Sequence, residues 1–219
     1  FIHCPVERNW FPEEDRRSSE RQANHLSSDE DRVISLDPGI RKFLVGYDPN
    51  GKILFIGEGA CGKLRKLFLE IDKIRSRNRK LRRWKKIKNL IEELHWKVCD
   101  YLVKNYDCIL LPEFQTSQMV RKSKKLCKQT KRLMNMFSFY KFKEKLMYKC
   151  SSHGKKLYIV DESYTSKTCG LCGTLNNVGS SEVYKCEKCS LEIDRDINGS
   201  RNILIKNIVP KTIPTLGEV

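Results

Sequence analysis

Three things are scarce in this 219-residue chain, and each scarcity excludes something. No apolar run approaches the length of a membrane span, and the N-terminus carries no apolar signal segment, so the expectation is an intracellular protein, nuclear if eukaryotic or viral and cytoplasmic if prokaryotic. There is no initiator Met: the chain opens on Phe1-Ile2-His3-Cys4-Pro5-Val6, an apolar piece that reads as the last strand of something upstream. Negative charge is short as well, with 27 Asp and Glu against 43 Lys and Arg, a formal charge of +16 and a pI near 9.4. A surplus of that size points to a polyanionic partner, nucleic acid ahead of a membrane surface.

The shortage is uneven. From Cys61 to Cys150 there are 26 Lys and Arg against 8 Asp and Glu, whereas the first 31 residues hold 4 against 8. Arg75, Arg77, Arg79, Lys80, Arg82, Arg83, Lys85, Lys86 and Lys88 form a nearly continuous cationic strip, and Arg121 to Arg132 repeats it. Too few carboxylates accompany them for balanced pairing along a helix, so contact with backbone phosphates is expected, positioning a nucleic acid without reading its sequence.

Residues 7–31, rich in Glu, Asp, Arg and Ser, read as a solvated linker. Val33-Ile34-Ser35-Leu36, Lys42 to Tyr47 and Ile53-Leu54-Phe55-Ile56 are short apolar runs separated by Asp37-Pro38-Gly39 and Asp48-Pro49-Asn50-Gly51, which predicts three antiparallel strands. Apolar residues then recur every three or four positions from Leu64 to Leu102, as one long helix or a helical hairpin. A buried strand, Cys108 to Pro112, follows, then a helix from about Lys131 to Ser152, a strand Leu157 to Val160, and a last helix Ile197 to Ile208. This order predicts an α/β fold: a mixed five-stranded sheet with flanking helices, its first, fourth and fifth strands parallel. Ligands collect at the carboxyl ends of such strands, and Asp37 and Glu113 stand at two of them.

In-line phosphodiester cleavage needs an activated water, a stabilised leaving oxygen and neutralised charge, which two Mg²⁺ ions about 3.5–4 Å apart supply. Oxygen ligands suit them, and the candidate catalytic, Mg²⁺-binding acids are Asp37, Glu113 and one of Asp194 and Asp196. If the last helix turns Ser200, Ile203, Leu204 and Asn207 to the sheet, Asp196 shares that face and Asp194 does not, so Asp196 is chosen. Asp37 could equally be a turn residue and Asp194 or Asp196 a helix cap; Asp161 and Glu162 are candidate fourth ligands. The Asn198-Gly199-Ser200 sequon has no bearing in an intracellular chain.

Of ten cysteines, four form two tight pairs, Cys169-x2-Cys172 and Cys186-x2-Cys189, the spacing of a zinc ribbon in which one Zn²⁺ replaces a hydrophobic core. Four thiolates leave no open coordination position, so the zinc is structural. Cys4, Cys61, Cys99, Cys108, Cys127 and Cys150 read as core residues or free thiols.

At Ser35-Leu36-Asp37-Pro38-Gly39-Ile40, Leu111-Pro112-Glu113-Phe114, Thr165 to Gly173 and Asp194 to Ile203, the chain resembles the transposon-encoded TnpB family and its eukaryotic and giant-virus relatives, the Fanzor proteins. The resemblance runs from about Val33 to Ile208 and implies a RuvC-like nuclease of RNase H fold, interrupted by a zinc ribbon, within an RNA-guided DNA endonuclease. It implies catalytic roles for Asp37, Glu113 and Asp196, zinc at Cys169, Cys172, Cys186 and Cys189, DNA as the cleaved partner, and a guide RNA held by the full-length protein. The family's last motif often reads Ala-Ala where Gly199-Ser200 stands, and Gly is common where the second cysteine turn ends in Ser190. The expected division is an upstream remnant and linker over 1–31, the nuclease domain over 32–163, the ribbon over 164–192, the nuclease domain's last helix over 193–209 and a tail over 210–219. The rival readings are a non-catalytic zinc-ribbon module that binds nucleic acid, and a DNA transposase.

Overall fold

The computed structural model describes residues 32–114, 126–179 and 181–208, together with the backbone of 6–9. Five strands fall where the apolar runs place them: β2 (Val33–Pro38), β3 (Leu44–Tyr47), β4 (Lys52–Ile56), β5 (Cys108–Pro112) and β6 (Lys156–Val160). A sixth, β1 (Val6–Asn9), extends the sheet by pairing antiparallel to β4, so the start of the segment expected to be a solvated linker is instead a strand. The sheet order is β1-β4-β3-β2-β5-β6, with β2, β5 and β6 parallel. Phe1 to Pro5, the linker from residue 10, the part of the basic segment from Arg121 to Lys125 and the tail from Pro210 lie outside the described residues.

Alternation along the strands sorts the sheet into two faces. Ile34, Leu36, Leu44, Leu54, Ile56, Ile109 and Leu111 join the core beneath four helices: α1 (Ala60–Lys73), α2 (Arg77–Asn105), α3 (Lys128–Phe137) and α4 (Phe139–Ser152). Val45, Tyr47, Ile53, Phe55, Cys108 and Leu110 face the other way, onto α5 (Arg195–Ile208) and the cysteine-bearing segment with its hairpin β7 (Val183–Lys185) and β8 (Glu192–Asp194). This is a mixed α/β sheet with flanking helices, as the order of elements predicts.

The periodic stretch after β4 is a helical hairpin. Ile74 and Ser76 are extended (ψ 122° each), and Phe68 of α1 meets Trp84 of α2 at 5.6 Å. The guanidinium of Arg132 lies over both rings and pairs with Asp72, tying α3 to the same corner.

The expected single helix from Lys131 to Ser152 is two helices, because Ser138 adopts a left-handed conformation (φ 48°, ψ 56°). Phe137 and Phe139 both pack on Phe43, at 5.4 and 5.1 Å. A continuous helix would place residues two apart about 200° from each other, so burying both rings on one core breaks it. The freed carbonyl of Phe137 is taken by His95 Nε2 at 2.8 Å.

Candidate metal centres

Since Ile34 and Leu36 face the four-helix layer, Ser35 and Asp37 face α5. Buried Ser35 holds the carbonyl of Ser200 with its hydroxyl at 2.7 Å, seating α5 on β2. Gly199 therefore lies against Asp37: a Cβ there would stand 2.6 Å from Asp37 Oδ2. Among the described residues the Asp37 carboxyl has no hydrogen bond and no ion pair. Burial first, then the charges of Asp196, Glu162 and Asp194, hold it well above the usual carboxylate range, with Arg195 opposing.

Asp194 and Asp196 have different tasks. Asp194 Oδ1 accepts the backbone N–H of Asp196 at 2.8 Å and of Ile197 at 3.3 Å, capping α5, while its Oδ2 accepts from Lys42 at 2.7 Å. Asp196, in the first turn, is half-buried; burial and Asp194 raise its pKa, and Lys42, 4.0 Å from its Oδ2, opposes.

Glu113 and Glu162 follow two neighbouring parallel strands. Along β5 it is Ile109 and Leu111 that face the four-helix layer, so Glu113 continues their parity; it sits just past the strand, exposed, and is not among the strongest charges acting on Asp37. Val160 of β6 packs on the α5 side, and Glu162 keeps that parity two residues on. Burial, then the charge of Asp161, raises Glu162, and its carboxyl also has no partner among the described residues. Asp161 is committed elsewhere: Lys206 binds it at 2.8 Å and the Ser163 hydroxyl at 2.6 Å, which holds its pKa far below the usual range.

Asp196 and Glu162 thus both act on Asp37 at the carboxyl edge of the sheet. An oxygen-only set with two unpartnered, partly buried carboxyls suits a hard divalent cation, which would relieve the charge that now favours protonation. Neither Asp37, Glu113 and Asp196 nor Asp37, Glu162 and Asp196 bring three oxygens within 4.8 Å of one another; among the described residues only the four cysteines form a group that tight.

That second group is Cys169, Cys172, Cys186 and Cys189. Cys169 and Cys189 sulfurs lie 3.6 Å apart, as do those of Cys172 and Cys186. Zinc–sulfur bonds of about 2.3 Å in a tetrahedron imply edges near 3.8 Å, so the cage has the dimensions for Zn²⁺. Each pair sits in a turn closed by its own backbone: Gly173 N–H to Cys169 O at 3.0 Å, and Ser190 N–H to Cys186 O at 3.0 Å. Backbone N–H groups of Cys189 and Lys188 pull the Cys186 thiol down to about 6, favouring the thiolate a metal needs. Buried Tyr184 and Asn176 fill the space behind, joined at 2.7 Å.

On the opposite side of the sheet, α2 divides in two. Its C-terminal half packs into the core, with Glu92 and Asp100 paired to Lys145 and Lys149 of α4. Its N-terminal half exposes Arg77, Arg79, Arg82, Arg83, Lys85, Lys86 and Lys88, none of which makes an ion pair among the described residues. Arg82, Lys85 and Lys86 line an open hollow of about 320 Å³ with Asn89, Leu90 and Glu93. No helix among the described residues is long and apolar enough to cross a membrane.

Residues 139–203 match the family model of the Cas12f1-like TNB domain. Over 199 residues, 83% of this chain, a TnpB-like protein of Acanthamoeba polyphaga mimivirus is 29% identical, and 38% of that protein is covered. The CRISPR-associated endodeoxyribonuclease Cas12f1 of Sulfoacidibacillus thermotolerans is 35% identical over 80 residues, 35% of this chain and 19% of its own. Among solved structures, a Cas12f1 protein in complex with single guide RNA and target DNA superimposes with a TM-score of 0.59 at 21% identity, covering 79% of this chain and 49% of its own, which bears on fold alone. The chain spans about two fifths of the length of the viral relative it matches.

Proposed function

We propose that this chain, a member of the TnpB/Cas12f-like family, is the RuvC-like nuclease portion of an RNA-guided DNA endonuclease that hydrolyses phosphodiester bonds with Mg²⁺. The observation that carries the reading is the Asp37 carboxyl: half-buried, unpartnered, pressed against Gly199 and surrounded by other acids at the ligand-binding edge of the sheet. Nothing in the fold needs a carboxylate there, and replacing it by a neutral group would relieve like-charge repulsion, so its presence points to a cation.

In this reading Asp37, Asp196 and Glu113 would hold the Mg²⁺ as the motifs imply, with Glu162 as a fourth acid. When bound, Mg²⁺ neutralises charge on the phosphate and lowers the pKa of an attacking water. The residues position. Asp37 is fixed by a central strand and by the contact of Ser35 with Ser200; Asp196 is fixed by the Asp194 cap; Lys42, held beside Asp196 by Asp194 and lying 4.5 Å from the centre of the Phe55 ring, is placed to meet an approaching phosphate. The Cys169, Cys172, Cys186 and Cys189 site holds one structural Zn²⁺. The unpaired cations of α2 contact the backbone of DNA or of the guide RNA, without reading sequence.

The test is Mg²⁺-dependent cleavage of end-labelled DNA by the protein, alone and with the RNA that copurifies with it. Asp37→Ala and Asp196→Ala are expected to reduce cleavage by on the order of 10³-fold or more while salt-sensitive binding persists. Unchanged cleavage in the double variant sinks the proposal. Binding without metal-stimulated cleavage in the wild type would favour the non-catalytic module instead.

A further inference from the structure

Asn198 and Asn202 stand four residues apart on α5, exposed by 0% and 6%, and both reach the first cysteine turn. Asn198 Oδ1 accepts the backbone N–H of Gly170 at 3.0 Å, and its Nδ2 donates to the carbonyl of Thr168 at 2.8 Å. Asn202 Nδ2 donates to the carbonyls of Thr168 at 2.7 Å and Thr165 at 2.8 Å. Gly170, between Cys169 and Cys172, comes so close that a Cβ on it would lie 3.1 Å from the Oδ1 of each asparagine.

The start of the helix is tied to the same module a third way, by the Arg195 N–H to the Glu182 carbonyl at 2.8 Å. Beneath these bonds, Ile197, Ile203 and Leu204 share one apolar core with Cys169, Cys186 and Tyr184. Asp196 is two residues from Asn198 on this helix, and its charge is the largest acting on Asp37 of β2, against which Gly199 of the same helix lies. A helix moves as a rod, so whatever holds the Gly170 turn in shape also sets how far Asp196 stands from the sheet. The turn itself is shaped by its thiolates, Cys169 and Cys172.

We propose that Asn198 and Asn202 are positioning residues that couple metal occupancy of the four-cysteine site to the placement of the Asp196 carboxyl opposite Asp37. They touch neither metal nor substrate. The latch makes binding at one site depend on the other, and such coupling is reciprocal: a cation at the acids tightens the thiolate site by the same factor. The proposal rests on the acids being a cation site for one of its two readouts only.

The experiment compares wild type with Asn198→Ala/Asn202→Ala and, from the ribbon side, Gly170→Ala, each with zinc bound and with zinc removed by a chelator. Hydrogen exchange of the amides of residues 196–200 reports the helix start. Electron paramagnetic resonance of added Mn²⁺ reports the acids, and the charge-transfer band of a Co²⁺-substituted sample confirms that the thiolate site still binds metal. In wild type, zinc removal is expected to speed exchange at 196–200 and weaken Mn²⁺ binding by about tenfold. The variants should show both losses with the thiolate site still loaded, and zinc removal should then add little, because the link is already cut.

Wild-type protection and Mn²⁺ affinity in the metal-loaded variants would overturn the latch, as would losses that simply multiply. Gly170→Ala leaves α5 unaltered in sequence and serves if the double variant does not fold. If wild type binds no Mn²⁺, the cation reading of the acids fails on its own, and the exchange data alone decide the latch.

Discussion

The thiolate cage takes its donors from one short stretch, Cys169 to Cys189, and each pair is fixed by hydrogen bonds within its own turn. The acid cluster takes Asp37 from β2, Glu162 from beyond β6 and Asp196 from α5, so its geometry exists only after the sheet has formed and α5 has docked on it. The cage sulfurs stand at metal-binding distance, whereas burial first, and then a neighbouring acid in each case, hold the carboxyl pKa values up. A soft closed site can be written into local sequence; a hard open site has to be assembled by topology and kept unsatisfied. The two meet at α5, which completes the second while resting on the first.

The sharpest way to break this contrast is to ask which glutamate the topology selects. Glu162→Gln is expected to weaken Mn²⁺ binding and slow cleavage by on the order of 10²-fold, because it removes an unpartnered carboxyl that acts directly on Asp37. Glu113→Gln tests the motif-based assignment in the same assays. A large loss from Glu113→Gln beside a negligible one from Glu162→Gln would show that strand parity does not decide membership, and that the exposed Glu113 turns into the cluster when substrate and metal are bound.

How much of this was legible follows the same division. The cysteine site needed only spacing, and the strands needed only apolar runs and turn residues. Asp196 could be separated from Asp194 because a helix has a known period, and Asp194 is indeed occupied as the cap of α5. Glu162 could not be separated from Asp161, since both follow the last strand; carrying the alternation of Leu157 and Val160 two residues further is the signal that divides them. The break at Ser138 was invisible, being imposed by Phe43 and His95 from elsewhere in the chain. Asn198 read only as part of a glycosylation sequon, because its partners, Thr168 and Gly170, are defined by docking.

A milder probe of the acid cluster is pH. Asp37, Glu162 and Asp196 all titrate above their ordinary values, so in metal-free protein their charged forms penalise folding. The native state then holds more protons than the unfolded one between the ordinary carboxylate values and the raised ones, and stability falls as pH rises through that window. Asp37→Asn should accordingly raise the Tm of metal-free protein near neutral pH by about 2–4 °C, if roughly 1 kcal/mol is relieved, and the gain should vanish as pH is lowered towards 4. Mn²⁺ affinity moves oppositely, weakening up to about tenfold per pH unit for each proton displaced as pH falls through the raised values. A pH-independent effect of Asp37→Asn would mean that its carboxyl is already relieved by a partner, and the contrast between the two sites would lose its electrostatic basis.

The smallest expected effect belongs to the thiolate side. Ser190 ends the second cysteine turn with φ 57°, a left-handed conformation, at the position where the resemblance leads one to expect glycine. Its first-turn counterpart, Gly173, has φ 72°. A left-handed conformation costs an L-residue about 1–2 kcal/mol, and glycine's extra chain entropy in the unfolded state offsets about 0.5–1 kcal/mol of that. Ser190→Gly should therefore stabilise the zinc-loaded protein by about 0.5–1 kcal/mol, read as a rise in Tm of a few degrees at most. Because the turn is shaped by its own backbone and sulfurs, the gain should appear in zinc affinity and leave Mn²⁺ affinity at the acids nearly unchanged; Asn198 latches α5 to the first turn, at Thr168 and Gly170. A change in Mn²⁺ affinity as large as that from Asn198→Ala/Asn202→Ala would show that the whole ribbon, and not its first turn, sets the position of Asp196.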